Sequence, residues 1–243
     1  MIALLAAVPE ETVLISEILK DSGQESVDGM VMLTGRIHGQ AVCLTHGGIG
    51  KAAAAAATIT LLHYCRPEAL LLFGCGGAYP HSGLGIGDLA LADAEIFGDE
   101  GVLAPHGFDD LAAMRLPMRQ GDESFFNSWP IDGLLRERSR PTLLDLAGKQ
   151  GIKLATGSFV TVSTCTGTTA RAIQIEQRTG GICENMEGAA VALACRQLSV
   201  PVLEMRGISN LVEDRDTSRW DLAAGMTVAQ QAVIDLLQKW PGQ

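Results

Sequence analysis

Acidic and amide residues recur in this chain where an apolar run stops. Glu10 and Glu11 follow IALLAAV (2–8), Glu187 follows GICEN (181–185) and Met186, and Asn210 follows PVLEMRGIS (201–209). Two further runs end in small polar residues: EALLLFGCGG (68–77) closes on Cys75, Gly76 and Gly77, and FVTVS (159–163) on Ser163, Thr164, Cys165 and Thr166. A carboxylate can orient water, take up a proton or grip a pair of hydroxyls, and an amide can donate and accept at once. If these runs are strands of one sheet, their ends bring such groups to one rim. Open α/β sheets bind small ligands there.

Each residue has a plainer alternative that local pattern leaves open. Glu187 could be a helix N-terminal carboxylate stabilised by the helix dipole. Glu10 and Glu11 could be ordinary first-turn acids, and Asn210 a cap or turn residue. Cys75 reads as core rather than nucleophile. His46, His63, His81 and His106 read as structural or solvated.

The elements that must position these groups alternate in type. The run 2–8 predicts a buried strand and Glu11 to Lys20 a helix. Residues 30–50 predict two strands, a turn near His38–Gly39 and a glycine loop. KAAAAAATITLLHYC (51–65) predicts a helix whose alanines permit close packing. The continuous apolar run 68–77 suits a strand covered on both faces, and 88–97 predicts another. Residues 98–130 show no clear period and read as a long loop, which in a compact domain is often functional. A helix over 132–151 should break near Pro141. Then follow a strand running into polar residues (155–168), a helix (169–180), a helix from Glu187 to Leu198, a strand (201–209) and a final amphipathic helix (222–240). With no internal repeat or linker, a single α/β domain over 1–243 is the economical reading.

Bulk properties exclude several classes. The 243 residues suffice for a full core, and 47% hydrophobic residues with 28 glycines suit an α/β enzyme. The formal charge of −10 carries no basic patch beyond RERSR (136–140), so no nucleic-acid partner is expected. None of the six cysteines forms a C-x-x-C pair, which argues against a zinc or redox motif and for a reduced, cytoplasmic setting. The first residues lack a basic segment and their apolar run ends at Pro9, so no secretory leader is expected. No apolar run approaches the ~18 residues of a membrane span, and no membrane partner is expected. Two phosphate motifs fail. In THGGIGKA (45–52) Thr45 stands where a P-loop has its first glycine and Ala52 where it has Ser or Thr. In GCGGAY (74–79) Tyr79 takes the third glycine position of a dinucleotide fingerprint.

VPEE after the first strand, HGGIGKAAAAAA, FGCGGAY…LGIGDL, ENMEGAAVA and RGISN occur in an order that resembles the nucleoside phosphorylase/nucleosidase family over nearly the whole chain. The resemblance implies a central mixed, twisted sheet flanked by helices, a small-molecule nucleoside substrate, no cofactor or metal, and a homo-oligomer, dimer or higher. It implies that Glu187 binds the ribose hydroxyls and Met186 packs on the sugar. Glu11 would position and deprotonate the attacking water, and Asn210 would face purine N7. Ser163, Thr164 and Cys165 would lie beside the base, and Cys75, Gly76 and Gly77 would line the sugar or water side. Asn210 is Asp in adenine-specific nucleosidases, and its amide suits a 6-oxopurine, which presents two acceptors, O6 and N7. Phosphorylases of the family place an arginine soon after the first strand. AVPEETVLISE has no basic residue there, which favours water over phosphate. The rival readings are an adenosine-type nucleosidase, a purine nucleoside phosphorylase and a non-catalytic nucleoside-binding protein.

Overall fold

The computed structural model describes residues 1–119 and 123–240. Its central strand, β1 (Ile2–Ala6), is buried at every position, as its unbroken apolar run requires. It runs parallel to β4 (Gln40–His46) on one side and to β5 (Ala69–Ala78) on the other. Beyond β4 lie β3 (Met30–Ile37) and β2 (Lys20–Val27), both antiparallel. Beyond β5 come β12 (Val202–Leu211), β6 (Leu89–Phe97), β10 (Leu154–Thr161) and β11 (Cys183–Asn185). The sheet is mixed, with β12 parallel to β5 and antiparallel to β6.

Short β11 also pairs antiparallel with the end of β5, Cys183 with Ala78 and Glu184 with Gly77. The strands β5, β12, β6, β10 and β11 therefore close a ring. Closure draws the ends of β5, β11 and β12 together beside β1. Helices cover both faces: α2 (Lys51–Cys65) packs with α5 (Gly188–Gln197), and α6 (Leu222–Gln238) lies along β12 and β5. α3 (Gly133–Gln150) joins α6, and α4 (Thr169–Thr179) completes the set beyond the short α1 (Val13–Ile18).

Four expectations need correction. Glu11 to Lys20 is not one helix but a 3₁₀ turn (Pro9–Thr12) followed by α1. β2 was not anticipated. Its sequence KDSGQESV is almost wholly exposed, so it carries no alternating apolar signal. The span 98–130 is not all loop. It holds a hairpin of β7 (Gly101–Ala104) and β8 (Gly107–Asp110), and β9 (Ser128–Pro130), which pairs with β6 around the buried Trp129. Residues 120–122 of that span, like 241–243, lie outside the described residues. Finally, α3 runs unbroken through Pro141. Pro141 is on the exposed face, where water can satisfy the carbonyl a proline leaves unpaired, while Leu143, Leu146 and Ala147 anchor the buried face.

Candidate active site

At this rim a cavity of about 330 Å3 opens, lined by Glu11, Cys75, Gly76, Gly77, Cys165, Met186, Glu187 and Asn210, among others. Eight of the residues singled out from sequence thus meet. Ser163 and Thr164 do not line it. Their backbone N–H groups donate to Asp99 Oδ2 at 2.6 and 3.4 Å, and Asp99 is held in turn by Lys51. The turn after β10 is tied outward, and only Cys165 and Thr166 reach the cavity.

The 3₁₀ turn after β1 delivers Glu11. Its Oε1 accepts the Cys75 N–H at 2.7 Å and its Oε2 the Ala7 N–H at 3.0 Å. The side chain is buried, yet each oxygen keeps a lone pair for a further donor such as water. The close approach requires Gly74, where a Cβ would stand 2.3 Å from Glu11 Oε1. The cysteines of the wall are poor thiolate candidates. Burial, then the Glu11 charge, pushes the Cys75 thiol up to about 12, and burial likewise raises Cys165.

Glu187 occupies the residue before α5 but makes no capping hydrogen bond. Asn185 does the capping instead, its Oδ1 accepting the N–H groups of Glu187 (2.9 Å) and Gly188 (2.8 Å). The Glu187 carboxylate is left to the cavity, where Oε1 accepts the Gly50 N–H at 3.0 Å and Oε2 lies 3.5 Å from Arg206 Nη1. Arg206 is itself buried, with Nε donating to Glu204 Oε1 at 2.9 Å and Nη1 to the Cys75 carbonyl at 3.2 Å. Burial opposes its charge, but Glu204, Glu187 and Glu11 outweigh that and raise its pKa further.

Behind Glu204 lies Glu95, fully buried, accepting from Thr161 Oγ1 and Asn185 Nδ2 at 2.6 Å each. Burial, then the neighbouring Glu204 charge, pushes its pKa well above the ordinary carboxylate range, which favours its protonated form. Gly188 makes room for them. A Cβ there would stand 2.0 Å from Glu95 Oε1 and 2.5 Å from Glu204 Oε2.

Asn210 sits just past a bulge at Ser209, which re-aims it. Its Oδ1 accepts from Ser209 Oγ at 2.9 Å and its Nδ2 donates to the Leu211 carbonyl at 3.1 Å. That carbonyl can only accept, so it fixes which end of the amide carries the hydrogens. One N–H remains for a ligand.

Sequence reasoning overlooked several lining residues. Arg206 did leave a signal: Glu204 and Arg206 are two charges spaced by two within an apolar strand. Glu184 stood in the short β11 without an assigned task. Arg215, stacked over the Trp220 ring at 4.5 Å, and Leu222 and Met226 of α6 left none, because the fold rather than local pattern brings them to the cavity.

A ring-closed α/β sheet with two anchored carboxylates and an oriented amide at its rim forms a pocket suited to a polar small molecule. Residues 1–239 match the Phosphorylase superfamily, and the chain belongs to that family. It is 36% identical over 199 residues to the futalosine hydrolase of Thermus thermophilus, covering 80% of each chain. It is 26% identical over 212 residues to a 5′-methylthioadenosine/S-adenosylhomocysteine nucleosidase of a Geobacillus species, covering 86% of this chain and 85% of that one. Among solved structures it shares its fold with a futalosine hydrolase mutant of Helicobacter pylori, at TM-score 0.83 and 22% identity, over 98% of both chains. The Neisseria meningitidis 5′-methylthioadenosine/S-adenosylhomocysteine nucleosidase in complex with methylthio-immucillin-A gives TM-score 0.84 and 20% identity, again over 98% of both.

Proposed function

We propose that this chain is a futalosine hydrolase, cleaving the N-glycosidic bond of futalosine with water to release hypoxanthine and dehypoxanthine futalosine, a step of menaquinone biosynthesis by the futalosine route. The likeness to the Thermus thermophilus enzyme supports the substrate. The orientation of Asn210 supports the choice of base, because the Leu211 carbonyl takes one N–H of Nδ2 and leaves the other for a ligand. In the transition state the leaving purine gains negative charge and the ribosyl group becomes cation-like. The spare Asn210 N–H stabilises the base at N7 and O6. Glu187 grips the ribose hydroxyls and Met186 packs against the sugar. Glu11, fixed by two amides, orients water toward the anomeric carbon and takes its proton. Positioning and preorganised electrostatics of this kind supply most of the acceleration. Phosphate is disfavoured as nucleophile because Glu11 would repel it.

A homo-oligomer is supported by exposed apolar side chains, Leu103 at 82% on the β7–β8 hairpin and Ile49 at 63% at the cavity edge. A cytoplasmic setting is supported by the six cysteines, all unpaired. No helix among the described residues is long and apolar enough to cross a membrane.

The test is incubation with futalosine, methylthioadenosine and inosine, with and without phosphate, followed by chromatography of the released base. Phosphate-independent release of hypoxanthine from futalosine is expected. Preferential release of adenine, or a requirement for phosphate, overturns the reading.

A further inference from the structure

The cavity has a buried floor and an open mouth, and the two differ in charge. Glu11, Glu184, Glu187 and Arg206 line the floor, all buried, and Arg206 is committed to Glu204 and Glu187. The exposed lining residues are Ile49, Cys165, Arg215 and Leu222, and Arg215 is the charged one. The hydrolytic scheme spends the floor on the ribose hydroxyls and the attacking water. The substituent on the 5′ carbon is then the part of a nucleoside left to reach the mouth.

Arg215 stands in an acidic loop, Glu213–Asp214–Arg215–Asp216, yet each acid of that loop is engaged elsewhere. Glu213 Oε1 pairs with Arg219 Nη1 at 2.8 Å. Asp214 Oδ1 accepts the Thr169 N–H at 2.9 Å, at the head of α4. Asp216 Oδ1 accepts the Ser218 N–H at 3.0 Å and Ser218 Oγ at 2.6 Å. Among the described residues no carboxylate lies within ion-pair distance of the Arg215 guanidinium. The Arg215 backbone N–H donates to the Gly167 carbonyl at 3.2 Å, and the guanidinium lies 4.5 Å from the Trp220 ring centre. Stacking engages the face of a guanidinium and leaves the N–H donors along its edge free. That planar fork matches a carboxylate two hydrogen bonds at a time.

The rest of the mouth is apolar. Ile49 and Leu222 are exposed there beside the Trp220 ring, a surface that suits a hydrocarbon or aromatic arm. We propose that Arg215 receives a carboxylate at the end of an apolar 5′ arm, so that the mouth selects nucleosides with an acidic 5′ substituent over neutral ones. The inference rests on the nucleosidase reading given under Proposed function. It adds the residue that reads the far end of the substrate.

Futalosine carries a benzoate on its 5′ arm, and its methyl ester keeps the shape without the charge. Steady-state kinetics compares the two in the unmodified protein and in Arg215→Gln. The parent should favour the acid by roughly 5- to 20-fold in kcat/KM, between the scale of an exposed ion pair and that of a charge-assisted hydrogen bond. The difference should lie in KM, because the contact is the same in the ground and transition states, and it should shrink as salt rises. Arg215→Gln should lose the preference. Loss of the Trp220 stack would weaken acid and ester alike, so the ratio reports the charge. Equal efficiency for acid and ester in the parent, or an unchanged preference in the variant, overturns the proposal and leaves the hydrolase reading standing. Calorimetry in Glu11→Gln reads binding without turnover. Tighter binding of the acid than of the ester, with no hypoxanthine released by the parent, overturns the hydrolase reading alone. Binding of neither compound overturns both.

Discussion

Arg206 Nη1 stands 3.5 Å from Glu187 Oε2 with both side chains buried, so the residue assigned to the ribose is itself held by an interior cation. Arg206 also ties Glu204 and the Cys75 carbonyl, linking β12, β5 and the head of α5. Removing one partner of a buried ion pair leaves the other charges uncompensated. Arg206→Met should therefore lose about 3–5 kcal/mol of stability, read from urea unfolding. A loss below 1 kcal/mol would show that Glu187 and Glu204 do not depend on this cation.

Glu11→Gln should retain nucleoside binding and lose turnover by roughly two or more orders of magnitude, the scale of a positioned base. Both Glu11 oxygens accept backbone N–H groups, so the glutamine NH2 must face one of them. A modest drop in melting temperature should accompany the loss. Single-turnover rates beside ligand titration separate the two effects, and near-native turnover would remove Glu11 from the mechanism.

Glu187→Ala should impair both binding and rate, because the ribose contacts anchor the reacting carbon. The matching substrate experiment replaces ribose by 2′-deoxyribose. If the deoxy substrate served as well as its counterpart, the grip on the hydroxyls would be wrong.

The raised pKa of Glu95 makes stability pH-dependent. An unfolded glutamate loses its proton near its ordinary value of about 4.5, whereas burial and Glu204 raise the folded value of Glu95 well above that. Above about 4.5 unfolding therefore releases a proton, and the stabilisation from this site declines as pH rises toward the folded pKa. Glu95→Gln removes the titration. It also loses a hydrogen bond, because a protonated carboxyl oxygen can donate to Glu204 while accepting from Asn185, and an amide nitrogen cannot. The variant should melt lower than the parent, with a gap that narrows as pH rises from about 4.5 toward the raised folded pKa. A constant gap in thermal scans of the two proteins would argue against a raised pKa at Glu95.

The strand ends that carry Glu11, Cys75 and Asn210 were legible because each follows an apolar run that suits a buried strand, whereas Met186 and Glu187, beyond the short β11, were picked out by ENMEGAAVA. Ring closure was not. β11 has only three residues, and its antiparallel contact with β5 involves two pairs, too few to leave a pattern. Other placements stayed hidden for the same reason. Glu184 gains its place from that contact, while Ser163 and Thr164 lose theirs to Asp99, 64 and 65 residues away in sequence. Glu187 does stand at the head of α5, as the helix-dipole alternative requires, but Asn185 does the capping and the Glu187 carboxylate turns to Gly50 and Arg206.

Asn210→Asp tests the choice of base. In the parent, Nδ2 donates to the Leu211 carbonyl and keeps a second N–H for the ligand. An aspartate of nearly the same size would set a carboxylate oxygen against that carbonyl and against purine O6, with no hydrogen to offer either unless it bound a proton. Losing one hydrogen bond to a charge-bearing base and adding a repulsion should cost about 2–4 kcal/mol in the transition state, roughly 30- to 1000-fold in rate. Adenine nucleosides should suffer less, because adenine brings a donor at position 6 that a carboxylate can accept. The measurement is the ratio of kcat/KM for hypoxanthine and adenine nucleosides with a common 5′ group, and it should fall in the variant. A ratio untouched by the substitution would show that Asn210 does not read the base, and the preference for a 6-oxopurine would lose its structural support.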